Sequence, residues 1–349
     1  VEMIDLADLF TIFLFSLLLL FVLFGYLVIH KAYKIRFKRR VSFSKEKYRL
    51  PLYHFLSEGT VSKVIIPHSR FSLIAASELL NEYSQVLEGE KVRNRMRAYA
   101  EKHLSSWILK QLHSRRWSLR MNSLYMIEDL RLNFTQEIEK HYLSRRLTAA
   151  EEVLLLKISA DRNDPQLLEK LQHPKYQLSD FSYLSIFEHL QEDQFSVFAE
   201  RFDALPLQLK CVVLEVIGQR QLFDYHGLLV NMLNSEESEL RVRALKSIGE
   251  TGLLVEEEKL LPFFSSAMWL ERLMAAKVVN SLKLISFSDV LADLMSDEEY
   301  LVRSEAAGAL SRFHGGTDIL RRVAENSQDP FARDMAAEWL KKERMDYAD

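Results

Sequence analysis

The stretch that decides the fold is Ser296–Gly316, SDEEYLVRSEAAGALSRFHGG, because its elements recur at a nearly fixed interval. Arg303 lies within it, and basic residues stand at equivalent places at Arg241, Arg272 and Arg333, spaced by 31, 31 and 30 residues. Each Arg is followed three residues later by an alanine: Ala244, Ala275, Ala306 and Ala336. One interval upstream of Arg241 stands Lys210, followed by Val213. Apolar triplets precede the basic residues in the same rhythm: Leu229, Met232 and Leu233, then Leu260, Phe263 and Phe264, then Leu291, Leu294 and Met295. A period of this size marks stacked helical units, none of which can bury its apolar face alone. A small residue one turn after the Arg lets the second helix of a unit approach its neighbour closely.

The segment Ser296–Gly316 resembles a HEAT repeat of the short type also found in phycobilin lyases. The features that carry the resemblance are the turn acid Asp297, the pair Val302–Arg303, then Ala306 and Ala309–Leu310, with Ser311 where glycine is usual. Ser235–Gly252, SEESELRVRALKSIGETG, is similar, with Ser235 in the acid's place. The unit around Arg272 keeps the Arg but has Glu271 in a slot that is otherwise apolar. WSLRMNSLYMIEDL (Trp117 to Leu130) reads as an earlier copy with Arg120 at the basic position. The resemblance is strongest over 205–345. It implies an all-α, right-handed HEAT-like solenoid with a concave binding face, and an Arg that ties one repeat to the next through the turn acid. About eight or nine helical pairs fit into residues 71–349.

At the other end, Leu9–Ile29 is a run of 21 residues without a charge. A helix of that length spans about 30 Å, the thickness of a bilayer core. Acids (Glu2, Asp5, Asp8) precede it and no small-x-small site follows, so a retained transmembrane anchor over 1–30 is expected in preference to a cleaved signal. Residues 31–49 carry nine Lys and Arg against Glu46 alone. That asymmetry places the N-terminus outside and the solenoid in the cytoplasm, at an inner (plasma) membrane. A single Cys in 349 residues suits a reducing compartment. Residues 31–70 read as a basic juxtamembrane segment, then an irregular junction from Pro51 to Pro67.

Net charge is uneven: residues 121–349 sum to −13, while 90–120 hold nine basic residues against Glu90 and Glu101. Candidate contacts for anionic lipid or an acidic partner are therefore Lys31, Lys34, Arg36, Lys38, Arg39, Arg40, Arg93, Arg95, Arg97, Arg115 and Arg116. An acidic bulk disfavours a nucleic-acid role. The fold also admits two alternatives by resemblance, a glycosylase-like DNA binder using 90–120 and a tetrapyrrole lyase.

No catalytic constellation is assembled by spacing. Gly315–Gly316 reads as a turn, Cys211 lies on an apolar helix face, and His189 with Asp193 supplies at most two ligands where zinc needs three or four. No cofactor or metal is expected, and the chain reads as a non-enzymatic binding protein. Bacterial membrane-anchored HEAT proteins of similar layout suggest an envelope or polysaccharide-secretion enzyme, such as a membrane glycosyltransferase, as the partner.

Overall fold

The computed structural model describes residues 6–144 and 147–346, and among them there are helices and turns but no strand. Glu2 and Asp5, which the anchor reading used, lie outside the described residues. The chain divides into two compact units, one up to Ile158 and one from Ser159.

The first unit is built from α1 (Leu6–Glu58), α2 (Arg70–Ser84), α3 (Glu90–His103), α4 (Ser105–Leu112), α5 (Trp117–Asp129), α6 (Thr135–Tyr142) and most of α7 (Ala149–Asp161). Helix α1 runs unbroken for 53 residues through the apolar run, the basic segment and Pro51. This corrects the expected irregular junction at its start: residues 51–58 are helical, and VSKVII (61–66) holds a 3-10 turn, Lys63–Ile65. The reason is packing. Val41, Tyr48, Leu52 and Leu56 form a buried stripe against the rest of the unit, with Leu52 and Leu56 fully enclosed. Burying two leucines contributes about 3–6 kcal/mol, enough to offset the ~3 kcal/mol that a proline costs inside a helix.

Helices α1 and α2 run in the same direction: Phe37 meets Phe71, Lys45 pairs with Glu78 and Glu82, and Tyr83 donates to the Arg49 carbonyl. Residues 59–69 return between them. Their backbone is held by the Tyr48 hydroxyl on the Ile66 carbonyl (3.2 Å) and the Tyr99 hydroxyl on the Ile65 carbonyl (2.6 Å).

The second unit comprises α8 (Leu167–Gln172), α9 (Asp180–Phe187), α10 (Glu192–Glu200), α11 (Leu207–Gln219), α12 (His226–Met232), α13 (Ser238–Thr251), α14 (Glu257–Phe264), α15 (Trp269–Leu282), α16 (Ser288–Leu294), α17 (Tyr300–Ser311), α18 (Gly316–Asn326) and α19 (Pro330–Asp346). Helices α12, α14, α16 and α18 each pack on the helix that follows them, and the second members stack in the order α9, α11, α13, α15, α17, α19. This is a HEAT-like α-solenoid. Ala244, Ala275, Ala306 and Ala336 are fully buried at the stacking surface, as is Val213. Leu229, Leu260 and Leu291, which lead the apolar triplets, are likewise fully enclosed. Within the first unit, α4 and α5 likewise pack on one another.

Candidate functional site

The repeat arginines do two jobs at once. Arg241 donates through Nη1 to the Ser235 and Glu236 carbonyls of its own turn (2.7 and 2.9 Å) and through Nε to Glu271 of the next repeat (2.7 Å). Arg272 donates to the Ser266 carbonyl (2.6 Å) and forms a two-pronged pair with Asp297 (2.5 and 2.8 Å). Arg120 repeats the scheme in the first unit, reaching its own turn at Ser114 and Arg115 and Glu151 at 2.6 Å. So the ladder exists, and Glu271, the residue out of pattern in the sequence, is one of its acids. Arg333 makes only the turn contacts, to Ser327 and Gln328. Arg303 bonds its own turn at Asp297 and Glu298, but no acid faces it from the next repeat; the Phe331 ring does, 5.0 Å away. Lys210 holds the register without the function. Its ammonium lies 5.7 Å over the Phe202 ring.

The basic candidates separate into two groups. Lys31, Lys34, Arg36, Lys38, Arg39 and Arg40 are all exposed on α1, and Arg93, Arg115 and Arg116 are exposed too. Arg95 is not a surface group: its guanidinium donates to the Leu56 and Ser57 carbonyls (2.9 and 2.7 Å), capping the C-terminus of α1. Gly59, at φ +87°, passes so close that a Cβ there would meet Arg95 at 3.0 Å. Arg97 is half-buried, with its Nε shielded from solvent. Helix-end carbonyls favour such a cation, so capping uses up Arg95.

No family model and no curated protein matches the chain. It is similar in fold to crystal structures of Kap121p. One is the karyopherin bound to the extreme C-terminus of the protein phosphatase Cdc14p, at 13% identity over 86% of this chain and 41% of that chain, with a TM-score of 0.42. Another is Kap121p by itself, at 15% identity over 86% and 39%, with a TM-score of 0.41. The chain thus spans about two fifths of the length of these structures.

Inside the first unit, α2, α4 and α5 enclose an open cleft of about 1200 Å³. Its floor is apolar, with Leu73, Ile74, Leu119 and Met126, and Trp107 and Tyr125 line it as well. Arg70, at one end of α2, lies over the Phe37 ring (5.7 Å), while Arg40 lies over Phe71 (5.3 Å). This reciprocal pair fastens the basic segment of α1 to the start of α2.

The remaining titratable candidates serve structure. His189 faces Asp161 (3.1 Å) and Asp193 accepts from Asn163 (3.1 Å), so they do not converge on one point. Among Glu256–Glu258, Glu256 pairs with Lys259 and Glu257 accepts from Ser286, so the run does not converge either. Burial pushes the Cys211 thiol up to about 12. Thiol reagents should therefore label Cys211 in the folded chain at a small fraction of the rate seen in urea, as a chromogenic disulfide would report. Among the described residues, no cluster of three or more metal-ligating side chains occurs.

Several groups link stability to pH, among them His141, Glu151 and Asp297. Burial lowers His141 from its ordinary 6.5. Burial acts to raise Glu151 and Asp297, but Arg120 with Thr148 at the first, and Arg272 with the Glu299 backbone N–H at the second, together hold each below its ordinary 4.5 and 3.8. In all three cases the unfolded chain binds protons more readily, so stability is present above the unfolded pKa and falls with pH. The thermal midpoint is expected to begin dropping below pH 6.5 and to drop more steeply below about pH 4.5. A midpoint flat from pH 7 to pH 3 would contradict the assignment.

Proposed function

We propose that this chain is a non-enzymatic, single-pass scaffold of a bacterial inner membrane, N-terminus outside, whose cytoplasmic solenoid binds a membrane-protein partner. One observation carries the reading. The exposed apolar run and the buried stripe of the first unit belong to one helix, α1, so a bilayer-length segment is built directly into the folded body. Confining a binding solenoid to the membrane surface raises its effective concentration for anything else in that membrane.

Charge supports the orientation. No acid occurs from residue 9 to residue 45, and among the described residues none of Lys31, Lys34, Arg36, Lys38 or Arg39 has an ion-pair partner. Farther along α1, Lys45 and Arg49 are paired with carboxylates. Cations left unpaired beside the span suit anionic headgroups, each contributing about 1 kcal/mol near such a surface. A polysaccharide-synthesising glycosyltransferase is the partner class to test first.

The test is a mild-detergent pull-down of the full chain, read by mass spectrometry, beside a form lacking residues 1–30. That form keeps the stripe from Val41 to Leu56. A stoichiometric membrane enzyme recovered with the full chain is the expected result. Recovery of no stoichiometric partner by either form would sink the scaffold reading.

A further inference from the structure

The solenoid carries a second recurring feature on its surface, two or three residues ahead of the ladder. Trp269 and Tyr300 begin α15 and α17, each three residues before its Arg, and Phe331 stands one interval beyond Tyr300 at the start of α19. Tyr300 is 53% exposed and Phe331 63% exposed, while Trp269 is half-buried. Leu301 (52%) and Met268 (37%) extend the apolar strip on either side. Large apolar groups recurring in the first turn of successive second helices, all at the turn edge, are not the scatter expected of an ordinary surface.

Arg303 sits inside the strip, 5.9 Å from the Tyr300 ring centroid and 5.0 Å from that of Phe331. It is itself nine-tenths buried. It is the rung at which an aromatic ring replaces the acid of the next repeat. That substitution holds the two rings in fixed relation, at the price of a ladder contact.

The same edge is acidic. Glu236 and Glu237 lie on the turn before α13, and Glu298 and Glu299 on the turn before α17. All four are exposed, and none has an ion-pair partner among the described residues. A strip of this kind is complementary to a chain bearing cations between apolar anchors. Stacked helices lie about 8–10 Å apart. A polyproline II strand advances about 9 Å in three residues. An extended segment with an apolar residue at every third position therefore meets one ring per repeat.

We propose that the turn edge of α15, α17 and α19 binds an extended basic segment of a protein partner, with apolar side chains at every third residue against Trp269, Tyr300 and Phe331, and its cations toward Glu298 and Glu299. The proposal deepens the scaffold reading and rests on it. Cytoplasmic loops of inner-membrane proteins are rich in Lys and Arg, which is the composition the edge selects.

The test uses the full chain in detergent and fluorescein-labelled 12-residue peptides, read by anisotropy. The regular peptide is (Leu-Arg-Pro)4; a second has the same composition with its leucines in adjacent pairs; a third is (Leu-Glu-Pro)4. The regular peptide is expected to bind at least about tenfold more tightly than the other two, and Tyr300→Ser/Phe331→Ser to weaken it by about tenfold or more. Glu298→Gln/Glu299→Gln, on exposed groups outside the core, should weaken it several-fold and flatten its salt dependence. Equal binding of regular and paired-leucine peptides would overturn the proposal, as would an unchanged Kd in both double variants. A partner recovered equally by the unmodified chain and by Tyr300→Ser/Phe331→Ser would reject the edge and leave the scaffold standing.

Discussion

An Arg120→Ala chain is expected to lose about 3–5 kcal/mol of stability in its first unit, the largest effect of any single ladder change. Glu151 has no solvent exposure, and Arg120 is its principal cation, with Nε at 2.6 Å and Nη2 at 3.2 Å. Removing the guanidinium leaves a carboxylate enclosed, with Thr148 and His141 as its remaining partners. Two further signatures separate this cause from simple loss of packing. His141 Nε2 lies 3.3 Å from Glu151, so its protonation supplies a replacement cation, and the deficit should shrink from pH 8 to pH 5. Arg120→Leu combined with Glu151→Leu should recover most of the loss, because a well-packed apolar pair replaces a buried ion pair at little cost. Urea unfolding of the three chains at both pH values decides it. A single variant within 1 kcal/mol of the parent would show that the pair is not structural.

Gly218 and Gly249 stand one repeat apart at the same register, and alanine is expected to have opposite effects at the two. A Cβ at Gly218 would press on Glu250 Oε2 and lie 2.8 Å from the Ser247 Cα, so α11 and α13 would have to separate. Overpacking of this kind costs about 1–3 kcal/mol. A Cβ at Gly249 would meet its nearest neighbour, a Val278 methyl, at 3.7 Å, which is ordinary contact. There the gain in helix propensity, up to about 1 kcal/mol, stands unopposed. Gly218→Ala should thus lower the thermal midpoint and Gly249→Ala should raise it. Shifts of the same sign in both variants would refute the stacking geometry.

These contrasts show what sequence can and cannot disclose in a repeat protein. The stacking alanines were legible because every repeat must solve the same close-approach problem, so the solution recurs at 31 residues. Arg120 was legible for the same reason, far from the clearest copies. Glu271 was visible only as an anomaly: a carboxylate on the second helix can replace a turn acid, and that equivalence is spatial. Lys210 shows the reverse, a residue in register whose shorter fork-less head settles over Phe202 instead of bonding its turn. Arg95 gave no signal at all. Its partners lie 38 and 39 residues upstream, and nothing in a basic run distinguishes a cap from a surface cation. Pro51 misled because its local preference is real but smaller than the burial of Leu52 and Leu56.

Helix α1 also has a mechanical consequence. From Ile29 to Leu56 it extends about 40 Å without a break, so that on the membrane-spanning reading proposed above it acts as a lever. A helix that answers a change in membrane thickness by leaning ten degrees sweeps its far end through about 7 Å. The first unit, gripping that far end through Leu52, Leu56 and Arg95, would be carried along with it. Lipid composition could in this way be converted into lateral displacement of the attached body.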